Sequence, residues 1–286
     1  VARIWLMIPT FNEAGNVEHV VRAAVAELEG AAPGDHRVLI VDDASPDGTA
    51  EIADRLAAEL GCIEVLRRPG KQGLGRAYLA GFEHALDGGA EIVIVMDADM
   101  SHDPVYIPAL LAAAQEHDLV LGSRYVPGGS IADWPRLRRL LSRAGSLYSR
   151  RLLDLDVRDL TGGFRCIRRE VLEAVELPTL RSQGYVFNIE LTFRAHRAGF
   201  RIAEVPIRFQ DRTVGESKIS FGVAVEALWL VPVLRYPWLG RVWPARTAPM
   251  ADPEIDPETV ALDPPALDPP MPEQPAAASA SVRAGQ

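Results

Sequence analysis

The chain has 286 residues, of which 48% are apolar, enough for one large domain or two small ones around a sizeable core. Its formal charge is −9, but residues 247–286 carry seven acidic side chains and one arginine (net −6), which leaves −3 for the remainder. That near balance argues against a nucleic-acid binder of the basic-stripe kind, and no run of about 18 apolar residues predicts a membrane-spanning helix.

The first segment, "RIWLMIP", predicts a short strand buried on both faces. "NVEHVVRAAVAEL" follows with helical spacing of Val17, Val20, Val21, Ala24, Val25 and Leu28. "RVLIVDD" predicts a second strand and "TAEIADRLAAEL" a second helix. "IEVLRR" predicts a third strand, followed by a helix from Leu74 to Leu86. After the fourth strand, "EIVIVMD", a helix opens at Pro104, with Asp103 as its cap and proline in the first helical position. "DLVLGSR" predicts a fifth strand. Strands that alternate with helices and are apolar throughout predict an α/β fold, a mostly parallel sheet covered on both faces.

Beyond Arg124 the rhythm changes. "YVPGGSIADWP" reads as a loop, and Arg136 to Leu153 as a helix carrying several arginines. "TGGFRCIRREVLEAV" predicts turn, strand and helix. "VFNIELTFRAHRAG" predicts a helix, "RIAEVPIRF" an extended segment and "DRTVGESKIS" a polar loop with two cations. Phe221 to Trp243 is apolar but broken by Glu226, Pro232, Arg235 and Pro237. From Pro244 the chain is proline, alanine and acid with a repeated "ALDPP", the composition of a disordered tail. The expected divisions are therefore 1–220, 221–243 and 244–286. Cys62 and Cys166 form no Cys-x-x-Cys pair, so a reducing compartment with both as small core residues is expected. No signal peptide is expected, since Pro9 ends the short apolar run Ile4 to Ile8.

In an open parallel sheet, ligands bind outside the carboxyl ends of the strands. Three predicted strands end in polar clusters: Pro9 to Glu13, Asp42 to Thr49 and Asp97 to Asp103. A fold that gathers these ends brings Glu13, Asp43, Asp97 and Asp99 to one rim. Their repulsion is unfavourable unless a cation or a donor-rich ligand sits among them. A nucleotide with a hard metal, magnesium or manganese, supplies both. The stretch "VMDADMSHDP" alone also reads as a plain acidic turn with caps. His102, alone in that turn, is expected to form local hydrogen bonds. No G-x-x-x-x-G-K-[ST] or G-x-S-x-G is present, and "GKQGLGRA" lacks the last glycine of the dinucleotide fingerprint. It reads either as a helix start near phosphate or as a plain loop.

Together, "IPTFNEAGNV", "IVDDASPDGTA", "RPGKQGLGRAYLAGF", "VMDADMSHDP", "GSRYVPGG", "TGGFRCIRREVL", "GYVFNIEL" and "DRTVGESKIS" closely resemble the dolichol/polyprenol-phosphate mannosyltransferases of glycosyltransferase family 2. The resemblance runs in order from Arg3 to Ser220. It implies a GT-A fold and inverting transfer of mannose from GDP-mannose to a polyprenyl phosphate, with Mg2+ or Mn2+. By the same resemblance Pro9, Phe11, Glu13, Val41 and Asp43 correspond to the guanosine pocket. Phe11 stands where tyrosine is common, which keeps stacking and loses a phenolic hydrogen bond. Asp97, Ala98 and Asp99 correspond to the nucleotide-metal motif, with Ser101 offering a further oxygen. Arg124, Arg212 and Lys218 correspond to phosphate-binding cations, and Asn188 to a polar residue facing the nucleotide. Asp99, Arg124 and Arg212 are the expected catalytic residues.

A phosphate acceptor is already anionic, so no general base is assigned. Arg124 is the first choice to hold it, with Arg136, Arg138 and Arg139 as helpers or as contacts to anionic lipid. The segment 221–243, with Trp229, Tyr236, Trp238 and Trp243, suits either the headgroup boundary or packing on the domain. The expected placement is peripheral, on the cytoplasmic face of the cell membrane. Relatives carry transmembrane helices or recruit an integral-membrane partner protein, so such a partner is expected here. Two other readings stay open: the same chemistry with a UDP-glucose-type donor, or a non-catalytic nucleotide-sugar-binding scaffold.

Overall fold

The computed structural model describes residues 3–132, 134–180, 182, 184–210, 221–236 and 239; for 184, 185 and 221–227 it describes the backbone alone. In chain order the elements are β1 (Ile4–Thr10), α1 (Val17–Ala31), β2 (His36–Asp42), α2 (Thr49–Leu60), β3 (Ile63–Arg67), α3 (Leu74–Asp87) and β4 (Ile92–Val95). They continue with α4 (Ile107–Ala113), β5 (Leu119–Ser123), β6 (Ser130–Ile131), α5 (Arg136–Leu153), β7 (Arg165–Arg168), α6 (Arg169–Ala174), α7 (Gly184–Arg197), β8 (Ile202–Pro206), β9 (Arg208–Phe209) and α8 (Phe221–Arg235).

Seven strands form one sheet in the order β3-β2-β1-β4-β7-β5-β8. Only β7 runs antiparallel to its neighbours. The apolar runs are continuous because both faces are covered. Trp5, Met7, Leu39, Val41, Val93 and Val95 point into a core shared with α3 and α7. Leu6, Ile8, Val38, Ile40 and Ile94, one residue out of phase, point into a second core with α1, α2 and α4. Cys166 joins the second core as expected, whereas Cys62 is only half-buried at its edge.

Strand order reverses beside β1. The chain winds outward through β2 and β3, then returns to place β4 on the other side of β1. A crevice opens at the carboxyl ends on either side of such a reversal. The expected loop 125–135 contains β6, which pairs with β9 in a small second sheet. The extended segment 201–209 is split at Ile207 between β8 and β9.

Helix α5 is turned the opposite way from a core helix. Ser146, Ser149 and Leu153 are buried, whereas Leu137, Leu140, Leu141 and Leu147 are exposed, the first three by more than 60%. The inward face has two serines and a leucine, and the outward face carries leucines and arginines. Helix α8 packs on α5 and α7, with Val231 buried, Leu228 exposed and the Tyr148 hydroxyl donating to the Leu228 carbonyl at 3.1 Å. Among the described residues no helix is long and apolar enough to cross a membrane. The tail from Pro244 lies outside the described residues.

Candidate active site

Three loops leave the sheet at the carboxyl ends of β1, β2 and β4, and each turns through a non-glycine residue with left-handed backbone: Asn12 (φ 59°), Ala44 (φ 56°) and Met100 (φ 60°). Such conformations cost about 1–3 kcal/mol each and collect at functional rims. Here they turn the chain back at once, and the parallel pairing of β1 with β2 and with β4 sets the three turns side by side at the carboxyl edge of the sheet.

On the β1–β2 side, Pro9 stands opposite Val41 in register, and the Val41 side chain belongs to the core. Phe11 is half-buried, with the Lys71 ammonium 4.7 Å from its ring centroid. Glu13 is tied to the start of α1: its carboxylate accepts from Asn16 Nδ2 at 2.9 Å, and its N–H donates to Thr49 Oγ1 at 2.9 Å. Asp43 forms a buried ion pair with Arg68. Burial pushes the Asp43 carboxyl up, against the pull of that guanidinium.

On the β4 side the Asp97 side chain is 28% exposed. A Cβ on Gly163 would come 3.4 Å from both of its carboxylate oxygens, so glycine there leaves that flank uncrowded. Ala98 is buried in the core. Asp99 and Ser101 are both buried, and the Ser101 N–H and hydroxyl donate to Asp99 Oδ1 at 3.1 and 2.5 Å. His102 has the local role expected of it: its Nδ1 accepts the Asp97 N–H at 3.2 Å, and burial holds its pKa below the ordinary value. Its ring stacks on Phe164 and meets Phe209 edge-on.

Arg124 sits at the end of β5 and is 93% buried, being 7% exposed. Its Nε and Nη2 donate to the two oxygens of Asp159 at 2.7 Å each, and Nη2 also reaches Thr161 Oγ1 at 2.8 Å. The rings of Tyr125, Trp134 and Phe209 lie 5.2–5.5 Å from its guanidinium carbon. Burial would raise the Asp159 carboxyl, but Arg124 outweighs it and holds it below the usual range. Gly129 keeps the loop after β5 close, since a Cβ there would stand 2.6 Å from the Ser123 carbonyl oxygen.

Asn188 lies on α7, 2% exposed, with its Nδ2 buried and without a hydrogen-bond partner. Its carbonyl accepts from Arg165, which also donates to Thr192 Oγ1 and to the carbonyls of Leu160 and Gly162. Arg165 is wholly buried, and burial lowers its pKa to about 10. It therefore braces the 160–163 turn, which carries Gly163 against Asp97, onto α7. Arg212 and Lys218 lie outside the described residues.

This arrangement gathers Phe11, Glu13, Asp43, Asp97 and Asp99 on one side of the sheet and a caged arginine beside them. The family model for glycosyl transferase family 2 matches residues 5–176, more than half of the chain. The chain belongs to glycosyl transferase family 2. An undecaprenyl-phosphate mannosyltransferase of Micrococcus luteus is 46% identical over 226 residues, covering 79% of this chain and 91% of that protein. A polyprenol monophosphomannose synthase of Mycolicibacterium smegmatis is 45% identical over 231 residues, covering 80% and 85%. The glucosyl-3-phosphoglycerate synthase of Mycobacterium tuberculosis, solved with Mn2+, UDP and glucosyl-3-phosphoglycerate, superposes with a TM-score of 0.58 at 19% identity, covering 82% of this chain and 80% of that one. At that identity the likeness shows the fold, which is GT-A.

Four residues that shape this candidate site escaped the sequence reading: Arg68, Asp159, Gly163 and Arg165. "TGGFR" was recognised as a motif, yet nothing local says that Gly163 lies against Asp97 or that Arg165 is buried. Asp159 is separated from Arg124 by 35 residues and Arg68 from Asp43 by 25, so neither pair has a signal in local spacing.

Proposed function

We propose that this enzyme transfers mannose from GDP-mannose to a polyprenyl phosphate, with inversion at the sugar carbon, giving a β-linked mannosyl phospholipid. The identity of 45–46% to two enzymes named for that acceptor class, over four-fifths of the chain, carries the reading. In this reading Pro9, Phe11, Glu13, Val41 and Asp43 form the guanosine pocket. The Phe11 ring supplies a stacking face, and the Glu13 and Asp43 carboxylates are acceptors for base and ribose donors. Asn188, with its unmet Nδ2, faces the nucleotide from α7.

Asp97, Asp99 and Ser101 fit a hard divalent ion, Mg2+ or Mn2+, because every donor is oxygen. Among the described residues no group of three or more His, Cys, Asp or Glu could hold a metal by itself. A nucleotide-borne ion of this kind is held by one or two carboxylates together with phosphate oxygens. Asp97 would reach it from the open flank beside Gly163, and Ser101 would orient Asp99. When bound, the ion would neutralise charge on the departing GDP.

The acceptor is already anionic, with a second pKa of about 6, so no side chain has to remove its proton. The chain's task is to hold two anions within attacking distance. Arg124, oriented by Asp159, together with Arg138, Arg139, Arg212 and Lys218, would supply the positive field.

The acceptor's hydrocarbon stays in a bilayer, so in this reading the enzyme works peripherally at a membrane surface, on the cytoplasmic face. The outward leucines of α5, set among the exposed Arg136, Arg143 and Arg151 with no acidic residue in the helix, support a membrane-surface placement. An integral-membrane partner protein would add a second anchor. Co-flotation with vesicles checks the α5 contact: binding to phosphatidylglycerol vesicles is expected to fall about tenfold or more in L140D/L141D, since each buried leucine contributes about 1.5–3 kcal/mol. Undiminished binding would remove α5 from the membrane contact.

The function is tested by mannose transfer from GDP-mannose to a polyprenyl phosphate in Mg2+ or Mn2+, with UDP-glucose as the competing donor. Transfer from GDP-mannose is the expected result. Transfer from UDP-glucose alone would keep the fold and change the donor. Nucleotide binding with no transfer from either would point to a scaffold.

A further inference from the structure

Trp134 has no part in the reading above. The residue is 5% exposed, its ring meets Phe209 edge-on with centroids 5.4 Å apart, and the guanidinium carbon of Arg138 lies 4.0 Å from its centroid. Packing and cation–π attraction account for the ring. They do not account for the indole nitrogen, which is buried without a hydrogen-bond partner. An indole N–H is a donor only, and a buried donor left unmet is unfavourable. A phenyl ring would make the same contacts without that penalty.

The surroundings say what would satisfy it. Arg139 Nε, on the first turns of α5, is a second buried donor without a partner. The Arg124 guanidinium lies 5.5 Å from the indole, and both oxygens of Asp159 are taken by Arg124. Arg143 lies over the neighbouring Tyr125, whose hydroxyl donates to Ser142 at 2.7 Å. Donors without acceptors, among several guanidinium groups, make a site for an oxyanion. The corner is also close to the acidic motif: Phe209 touches both Trp134 and His102, and His102 is bonded to Asp97.

We infer that the Trp134 indole N–H, with Arg139 Nε, donates hydrogen bonds to the phosphomonoester of the lipid acceptor and holds it beside Arg124. This rests on the acceptor assigned above and adds the residue that would recognise it. The nitrogen is what tryptophan adds there over a phenyl ring, and a phosphomonoester is recognised over an alcohol or a phosphodiester headgroup.

The test is Trp134→Phe, which removes the N–H and keeps an aromatic ring. The KM for polyprenyl phosphate is expected to rise about tenfold, the effect of one hydrogen bond to a charged group. The KM for GDP-mannose should stay within about twofold, and the Tm should hold or rise because an unmet donor has gone. An unchanged acceptor KM would overturn the inference. So would a fall in Tm with both KM values raised, the result expected of a purely structural tryptophan.

Nitrogen-15 indole spectra of the wild type give an independent reading, with the Trp134 signal assigned from the variant. That signal should shift with a short-chain polyprenyl phosphate, and not with the matching polyprenol or phosphatidylglycerol vesicles. A shift with phosphatidylglycerol instead would overturn the inference and make this corner a headgroup contact. A shift in a protein that transfers no mannose would keep the anion site and sink the proposed reaction. Transfer without a shift, and without loss in Trp134→Phe, would do the reverse.

Discussion

Asp97→Asn is expected to lower metal-dependent mannosyl transfer about a thousandfold while leaving the fold unchanged. Loss of one carboxylate from a divalent-ion site forfeits several kcal/mol of charge stabilisation on the leaving diphosphate. The Asp97 side chain is 28% exposed, its Oδ2 lies 3.7 Å from His102 Nδ1, and its backbone N–H donates to that same nitrogen; asparagine keeps the size and the backbone bond, so the substitution should preserve the fold. Asp99→Ala is expected to lose transfer to a similar extent and to lose stability as well. The Ser101 hydroxyl and N–H both use Asp99 Oδ1, and burial leaves them few other acceptors. That loss should be about 1–3 kcal/mol. Transfer assays across a manganese titration, with thermal unfolding of both variants, separate the two effects. Retention of metal-dependent transfer in both would refute the metal assignment and return Asp-Ala-Asp to the role of an acidic turn.

Asp159→Ala should be the most damaging substitution for stability. It leaves the Arg124 guanidinium buried without its carboxylate, at a cost of about 3–5 kcal/mol. In a domain of this size that corresponds to a fall in Tm of about 10 °C. Adding Arg124→Met should restore much of the loss, since the stranded charge has gone, and should not restore transfer. The pH dependence has a definite sign. Arg124 holds the Asp159 carboxyl below its ordinary value, so its stabilisation is full above the unfolded pKa of about 3.9. It is lost as pH falls through the lower folded-state value. The stability gap between wild type and Asp159→Asn should therefore be constant at neutral and mildly acid pH and should narrow only below about pH 4. A gap that narrows between pH 5 and 7 would show that another group carries the effect; those bounds bracket the roughly 6.5 of histidine.

Much of the molecule was legible before the fold was known. The five strands through Ser123 and the helices between them follow from apolar runs and helical spacing, and a sheet covered on both faces leaves that pattern in the chain. The acidic clusters after β1, β2 and β4 were legible too, because ligands in such sheets meet the carboxyl ends of strands. Less could be said after Arg124. The two-residue strands β6 and β9 are too short to leave a periodic trace, yet their pairing sets Phe209 between His102 and Trp134.

By itself, then, the sequence determined the α/β layering, the acidic rim and the likeness to family 2, because each of these is written in residues close together along the chain. The tertiary structure alone decided the pairings. Arg124 takes Asp159 rather than standing open to an acceptor, Arg68 takes Asp43, and Gly163 makes room beside Asp97. These join segments whose spacing carries no signal. It also decided which face of α5 turns inward. Helical periodicity groups Ser146 with Ser149 and Leu137 with Leu140 and Leu141, but it does not say which group is turned inward. Packing against the body and α8 chose the serines, which are small enough for close approach, and left the leucines and arginines outside.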